Sequence, residues 1–151
     1  MSAIAVRGEA AEVALGEAQA VLAMVQDEDR RGRLADLVAA LGDGQVGGDE
    51  ANALEELLEL GLQTGRLRAL YGPGGEQAAL ALYRRLPRGR ELSGTAREVT
   101  EALSAFEGRT LDRVAVRVVG PGEFALDLGA GGLELSVRLG RAGVRVHDLG
   151  A

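Results

Sequence analysis

The stretch from Val114 to His147 decides the fold, because apolar residues recur there at every second position. It holds four such segments, VAVRV (114–118), EFALDL (123–128), LELSVRL (133–139) and VRVH (144–147), separated by short glycine-rich links. A period of two places alternate side chains on one face of a strand, and links this short allow only antiparallel hairpins. We therefore predict a four-stranded antiparallel β-meander with one apolar face.

Before this stretch the apolar residues recur at steps of three and four, which is the pattern of helices with one apolar stripe. Pro87 is expected to end one of these helices, and Thr95 with Glu98 to begin the next through a capping box. Five helices are predicted on this basis, over residues 9–26, 29–41, 49–65, 76–86 and 95–106.

These elements predict an α+β fold in three parts: an acidic three-helix segment (1–65), a glycine-rich linker (66–75) and an α+β domain (76–151). Four strands about 4.8 Å apart span roughly 19 Å, and a helix is about 10 Å across. Two helices are therefore needed to cover the apolar face of the sheet. The fourth and fifth predicted helices are the natural candidates, and the first three would pack outside, on each other or on another copy.

The composition of the 151 residues excludes most catalytic sites, since cysteine, lysine and tryptophan are absent and His147 is the only histidine. Zero cysteines and one histidine cannot build a thiol nucleophile, a disulfide framework, a zinc finger or a zincin site. Schiff-base chemistry and the phosphate-binding loop both need a lysine. We expect no metal, no cofactor and no enzymatic activity.

Charge is segregated along the chain. Residues 1–65 carry a net charge of −9, residues 66–97 a net charge of +5 and residues 98–151 a net charge of −2. Arginine suits phosphate and carboxylate groups, so the basic segment predicts either contact with nucleic-acid phosphates or neutralisation of the acidic helices. The arginines concerned are Arg66, Arg68, Arg84, Arg85, Arg88, Arg90 and Arg97.

Two glycine-rich stretches match known motifs. GDGQVG (42–47) has the letters of the dinucleotide fingerprint GxGxxG, but a predicted helix precedes it where that motif needs a strand. LDLGAGG (126–132) resembles the glycine-rich first motif of Rossmann-like S-adenosylmethionine methyltransferases, which leads into a helix within a parallel sheet. Here residues 133–139 alternate as a strand, so we interpret the glycines as a hairpin link. The acidic loop 43–49 is not a calcium-binding EF-hand, because Leu54 stands where that loop needs a glutamate.

Extending the pairing of Leu139 with Val144 along the last hairpin predicts Ser136 opposite His147 on the polar face. A hydroxyl beside an imidazole is a candidate nucleophile and base, but an open sheet surface offers no pocket, so we interpret them as an exposed polar pair. The same reasoning predicts two like-charge pairs, Asp127 with Glu134 and Arg138 with Arg145. These would favour a charged partner on that face.

The predicted helices carry more apolar surface than one sheet can bury. We therefore predict a non-enzymatic interaction or assembly module that associates with itself, or with another protein, through amphipathic helices; the alternative is a nucleic-acid-associated factor that uses the arginine-rich segment. No signal peptide or membrane span is recognisable, so a soluble, cytoplasmic, bacterial protein is expected. The residues predicted to form the contact surface are Leu15, Leu22, Val25, Leu54 and Leu58.

Overall fold

The computed structural model describes residues 2–151 and confirms the α+β class. The chain forms two compact units: a helical unit that ends at Arg90 and a sheet unit, Glu91–Ala151. The helices are α1 (Gly8–Met24), α2 (Glu28–Asp43), α3 (Gly48–Gln63), α4 (Arg66–Tyr83) and α5 (Pro87–Leu103). The strands are β1 (Ile4–Ala5), β2 (Gln45–Val46), β3 (Arg113–Gly120), β4 (Glu123–Ala130), β5 (Leu133–Gly140) and β6 (Gly143–Gly150).

In the helical unit, α1 packs against α2, α3 and α4, and α3 packs against its two neighbours in sequence. The ends of α2 show how local chemistry sets the helix boundaries. Asp27 Oδ1 accepts a hydrogen bond from the Arg30 backbone N–H at 2.7 Å, which caps the first turn. Gly44, with φ of 79°, ends the helix in the left-handed conformation that glycine adopts without strain. The short strand β2 follows at once and pairs antiparallel with β1.

The predicted linker 66–75 is wrong, because α4 begins at Arg66 and runs through this segment. Its glycines produce a kink instead of a loop. Gly72 has φ of 74° and ψ of 178°, which interrupts the helix, and Pro73 then starts the second arm, since proline is well suited to the first turn of a helix. Among residues 2–151, three helices precede α4, and α4 spans both the predicted linker and most of the fourth predicted helix (76–86).

The buried residues of α4 also differ from the prediction that this helix covers the sheet. Ala79, Leu82 and Tyr83 are buried, and α4 packs against α1 and α3. Leu54 and Leu58 of α3 are 0% exposed in the same core. The apolar stripe of residues 76–86 was correctly located, but periodicity alone does not tell which partner a stripe packs against.

The sheet unit contains the predicted antiparallel meander, with strand order β3-β4-β5-β6. Gly131 and Gly132 both have positive φ and form the two-residue turn between β4 and β5, as hairpins of this type require. The stretch 126–132 is thus the end of β4 followed by a hairpin turn, and its last two glycines form the link.

Helix α5 begins eight residues earlier than expected, at Pro87. The predicted capping box is wrong, because Thr95 lies inside the helix and its hydroxyl donates to the Leu92 carbonyl oxygen at 2.9 Å. The apolar stripe of the fifth predicted helix is nevertheless correct. Val99 and Phe106, the latter in a short 3₁₀ helix (Ser104–Phe106), join Leu135 and Val137 in the core of the sheet unit.

Candidate functional site

The apolar face of the sheet is only partly covered. The apolar core beneath α5 includes residues of β4, β5 and β6, and none of β3. Because one helix spans only about half the width of four strands, the β3 side of the face remains open. Val114, Val116 and Val118 are 61%, 65% and 74% exposed.

These three valines and Phe124 form a continuous apolar surface, which we name the β3 strip. In the β3–β4 ladder Val118 pairs with Phe124 and Val116 with Leu126, so the strip lies on the same face as the core, because directly paired residues point to one side of a sheet. β3 is also an edge strand, with β4 as its single neighbour in the sheet. The strip therefore combines exposed apolar side chains with a free strand edge.

The opposite face of the sheet is polar and has its own ion pair. Asp127 of β4 accepts hydrogen bonds from Arg117 Nε at 2.6 Å and from Ser136 Oγ at 2.8 Å. These two hydrogen bonds, with the larger effect from Arg117, lower the pKa of Asp127 to about 2. The aspartate is therefore ionised at neutral pH and links β3, β4 and β5 on this side of the sheet.

The structure does not pair Ser136 with His147. The β5–β6 ladder passes from Val137–Val146 directly to Ser136–Asp148, so His147 occupies a β-bulge. The serine hydroxyl is engaged with Asp127, and although both residues line one shallow depression of about 360 Å³, no nucleophile and base face each other. A bulge leaves no mark in a strictly alternating sequence, which is why the register was misjudged.

One of the two predicted like-charge pairs is present. Arg138 lies opposite Arg145, as expected. The pair of Asp127 with Glu134 is wrong, because the β4–β5 register is displaced by two residues and places Ser136 opposite Asp127.

Three of the seven predicted arginines form ion pairs within the helical unit. Arg66 Nε lies 2.6 Å from Glu17 Oε1, Arg68 3.6 Å from Glu76 and Arg88 Nε 3.0 Å from Glu59. The pairs with Glu17 and Glu59 favour the interpretation that the basic segment neutralises the acidic helices. Arg84, Arg85 and Arg90 remain on an open surface near residues 2–5, where Arg85 donates to the Ala5 carbonyl oxygen at 2.8 Å. Arg97 lies exposed on α5.

The helix surface predicted for self-association is only partly available. Leu54 and Leu58 are buried and cannot form a contact surface, whereas Leu15 and Leu22 of α1 and Val25, directly after it, are half-buried. The buried residues of α1 lie mainly on a neighbouring stripe that contains a charged residue, and Ala18 is the one that belongs to the stripe predicted from the sequence. The buried residues are Val13, Ala14, Glu17 and Ala18.

Glu17 is the functional candidate that sequence reasoning overlooked. Its side chain is 2% exposed, and it lines a cavity between helices of this unit. The carboxylate also acts on Tyr71, whose pKa is raised first by burial and then by the nearby negative charge of Glu17. Val13, Glu17 and Val21 are four residues apart and so share one side of the helix. This spacing is the sequence signal that could have placed Glu17 beside a buried residue.

The part of the chain that the structure describes contains neither a cluster of metal-ligating side chains nor a membrane-spanning helix. Among residues 2–151, no group of three or more histidine, cysteine, aspartate or glutamate side chains is arranged to hold a metal ion. Over the same range no helix is both long and apolar enough to cross a bilayer. The GxGxxG stretch contains β2, which pairs antiparallel with β1, whereas the dinucleotide motif belongs to a parallel sheet.

Comparisons of this chain with protein-family models, with curated proteins and with solved structures gave no match.

Proposed function

We propose that this protein is a self-assembly module whose copies join through strand β3. The observation that supports the proposal is the β3 strip, an exposed apolar surface on an edge strand. A free strand edge with an apolar face favours association with another chain. The proposal keeps the self-association expected from the sequence, and moves its main contact from the helices to the sheet.

β3 is complementary to itself when two copies pair antiparallel about Val116. In this register Val114 lies opposite Val118 on the apolar face, and Arg117 lies opposite Ala115 on the polar face. Valines meet valines and no arginine faces an arginine, and favourable cross-strand pairs each contribute roughly 0.2–1 kcal/mol. The β3–β4 ladder is regular over these residues, so the outer edge of β3 is regular as well.

The second edge strand, β6, suits pairing less well. Its ladder with β5 is interrupted by the bulge at His147, and a bulge twists a strand edge and disturbs further pairing. The register shift in β3 lies between Val118 and Gly120, at the end of the strand. Pairing through β3 therefore leaves the longer uninterrupted edge for the partner.

The proposed dimer has a two-fold axis through Val116, perpendicular to the sheet. Such an interface is closed, because the same surface is used by both copies. Two four-stranded sheets become one sheet of eight strands, and the two β3 strips become neighbours on the same face.

Cysteine cross-linking tests this register cleanly, because the chain contains no cysteine. Val116→Cys places two thiols opposite each other at the axis, where Cα atoms about 4.5–5.5 Å apart suit a disulfide. Val114→Cys is the matched control, since its two copies would lie roughly 13 Å apart along the paired strands. It should cross-link with Val118→Cys and not with itself. Equal self-cross-linking of Val114→Cys and Val116→Cys would contradict the register.

Light scattering after gel filtration tests the association itself. We expect the unmodified chain to be dimeric and Val116→Lys to be monomeric with unchanged helix content. Leu70→Lys is the control, because Leu70 is a 57% exposed apolar residue on α4, in the other compact unit of the chain. A monomeric unmodified chain would refute the proposal. A dimer that is dissociated by Leu70→Lys and not by Val116→Lys would show that the contact lies on the helices.

The alternative function, binding of nucleic-acid phosphates, is supported by one observation. Arg84, Arg85 and Arg90 gather on an open surface, and phosphate contacts by arginine give an affinity that falls steeply with salt. Titration of an oligonucleotide against the unmodified chain and against Arg84→Glu at two salt concentrations tests it. Absence of binding at low salt excludes this alternative.

A further inference from the structure

The helical unit contains a cavity of about 270 Å³ that the assembly proposal does not use. This volume is near the lower end of small-molecule sites, which run from roughly 300 to 1,000 Å³. Two residues of its wall, Met24 and Leu60, are largely exposed, so the cavity opens to solvent. The other aliphatic wall residues include Val21, Val25, Leu34, Ala53 and Leu57.

A buried carboxylate lies in this otherwise aliphatic wall. Glu17 Oε1 accepts the hydrogen bond from Arg66 Nε at 2.6 Å, and no group of residues 2–151 donates a hydrogen bond to the buried Oε2 atom. A buried acceptor without a donor is costly, and more so when it is charged. Glu17 therefore favours a ligand that brings a hydrogen-bond donor into the cavity.

Glu17 and Arg66 both line the cavity. Oε2 is shielded from solvent in the free protein, whereas the Arg66 side chain is 39% exposed and long enough to shift without unfolding the helix. A donor group in the cavity can reach Oε2 after a small shift of the Arg66 side chain that preserves the hydrogen bond from Arg66 Nε to Oε1. Because Arg66 already balances the charge of Glu17, a neutral donor such as a hydroxyl group is sufficient.

The remaining charged residues of the wall are predominantly basic. Arg30 and Arg33 are exposed and make no ion pair within residues 2–151. Apart from Glu17, the wall contains one carboxylate, that of Glu56. Guanidinium groups bind carboxylates and phosphates through paired hydrogen bonds. This part of the cavity therefore favours an anionic group.

From these contacts we infer that the cavity binds a small amphipathic molecule with an apolar body, a hydroxyl group that donates to Glu17 Oε2 and an anionic group that meets Arg30 and Arg33. The apolar body occupies the aliphatic wall, which supplies most of the affinity through burial. The two polar ends determine orientation and selectivity.

A matched pair of probes tests the donor. Hydroxynaphthoate, with its hydroxyl and carboxylate at opposite ends of the ring system, carries all three features. In its methyl ether, methoxynaphthoate, a methyl group replaces the donor hydrogen. We expect the unmodified chain to bind hydroxynaphthoate roughly tenfold more tightly, the factor that one hydrogen bond to a charged group supplies. Calorimetric titration measures both affinities.

Two variants separate the contributions of the carboxylate and the cavity. Glu17→Gln keeps the shape of the side chain and presents an amide at the free position, so the preference for hydroxynaphthoate should disappear. Ala53→Leu fills the cavity and should abolish binding of both probes. Ala81→Leu is its control, because Ala81 is exposed on α4 and outside the cavity wall.

Amide resonance shifts in the unmodified chain locate the bound probe without any variant. Binding of hydroxynaphthoate should shift the amide resonances of Val21, Leu57 and Gly61, which line the cavity. Equal affinity for the two probes, a preference that survives in Glu17→Gln, or resonance shifts confined to the β3 strip would each overturn the inference. A chain that binds neither probe would show that the cavity is not a ligand site of this class.

Discussion

Replacing Arg66 by alanine should destabilise the helical unit far more than replacing its partner, Glu17, by glutamine. The two side chains meet at 2.6 Å, but they differ in exposure: Glu17 is 2% exposed and Arg66 is 39% exposed. Arg66→Ala leaves a buried carboxylate with neither oxygen paired. Glu17→Gln keeps the shape of the buried side chain and leaves an arginine that can turn toward water.

The expected magnitudes follow from this difference. Removing one partner of a buried ion pair costs roughly 3–5 kcal/mol, and the partial exposure of Arg66 places Arg66→Ala near the lower limit, at about 3 kcal/mol. Glu17→Gln should cost about 1 kcal/mol, the usual net contribution of one hydrogen bond. The double variant contains no buried charge, so it should be more stable than Arg66→Ala alone.

Urea unfolding followed by tyrosine fluorescence reports the free energy of unfolding of the helical unit. The chain has no tryptophan, and its two tyrosines, Tyr71 and Tyr83, both lie in the helical unit. With a slope of about 2 kcal/mol per molar urea, a loss of about 3 kcal/mol lowers the unfolding midpoint by about 1.5 M. A loss below about 1 kcal/mol for Arg66→Ala would show that the pair behaves like a surface ion pair. A double variant less stable than Arg66→Ala would refute the same reasoning.

Two further predictions concern pH and a close contact in the fold. The folded pKa of Asp127, about 2, lies below its ordinary value of 3.8. The contribution of Asp127 to the stability of the sheet unit is therefore complete above pH 3.8 and is lost as the pH falls toward 2. In Asp127→Asn, urea unfolding monitored by circular dichroism should no longer show this part of the acid dependence. Gly89→Ala should destabilise the protein by about 2–3 kcal/mol, because an added Cβ would collide with the carbonyl oxygen of Tyr83. Gly94→Ala, in the same helix with open space around it, should stabilise it by about 0.5–1 kcal/mol, and equal effects of the two substitutions in thermal unfolding would contradict the steric argument.

The candidate sites divide according to how much of each the sequence reveals. The valines of the β3 strip were placed on the apolar face of the sheet by alternation, but their exposure depends on how far α5 extends across the strands. The cavity beside Glu17 was not foreseen, because a glutamate within a helical pattern is normally assigned to the solvent side. Only the helices that surround this residue show that it is buried.

Local chemistry in the sequence determined the elements of this protein: the meander of residues 114–147 by its period of two, and the helices by apolar repeats of three and four. Tertiary structure decided everything that depends on partners distant in sequence. It set the packing of α4 on α1 and α3, the bulge at His147 and the pairing of Arg66 with Glu17. The physical reason is that periodicity shows which side of a helix or strand is apolar. Which other element packs on that side depends on the width, length and register of all the elements, and these cannot be read from the pattern.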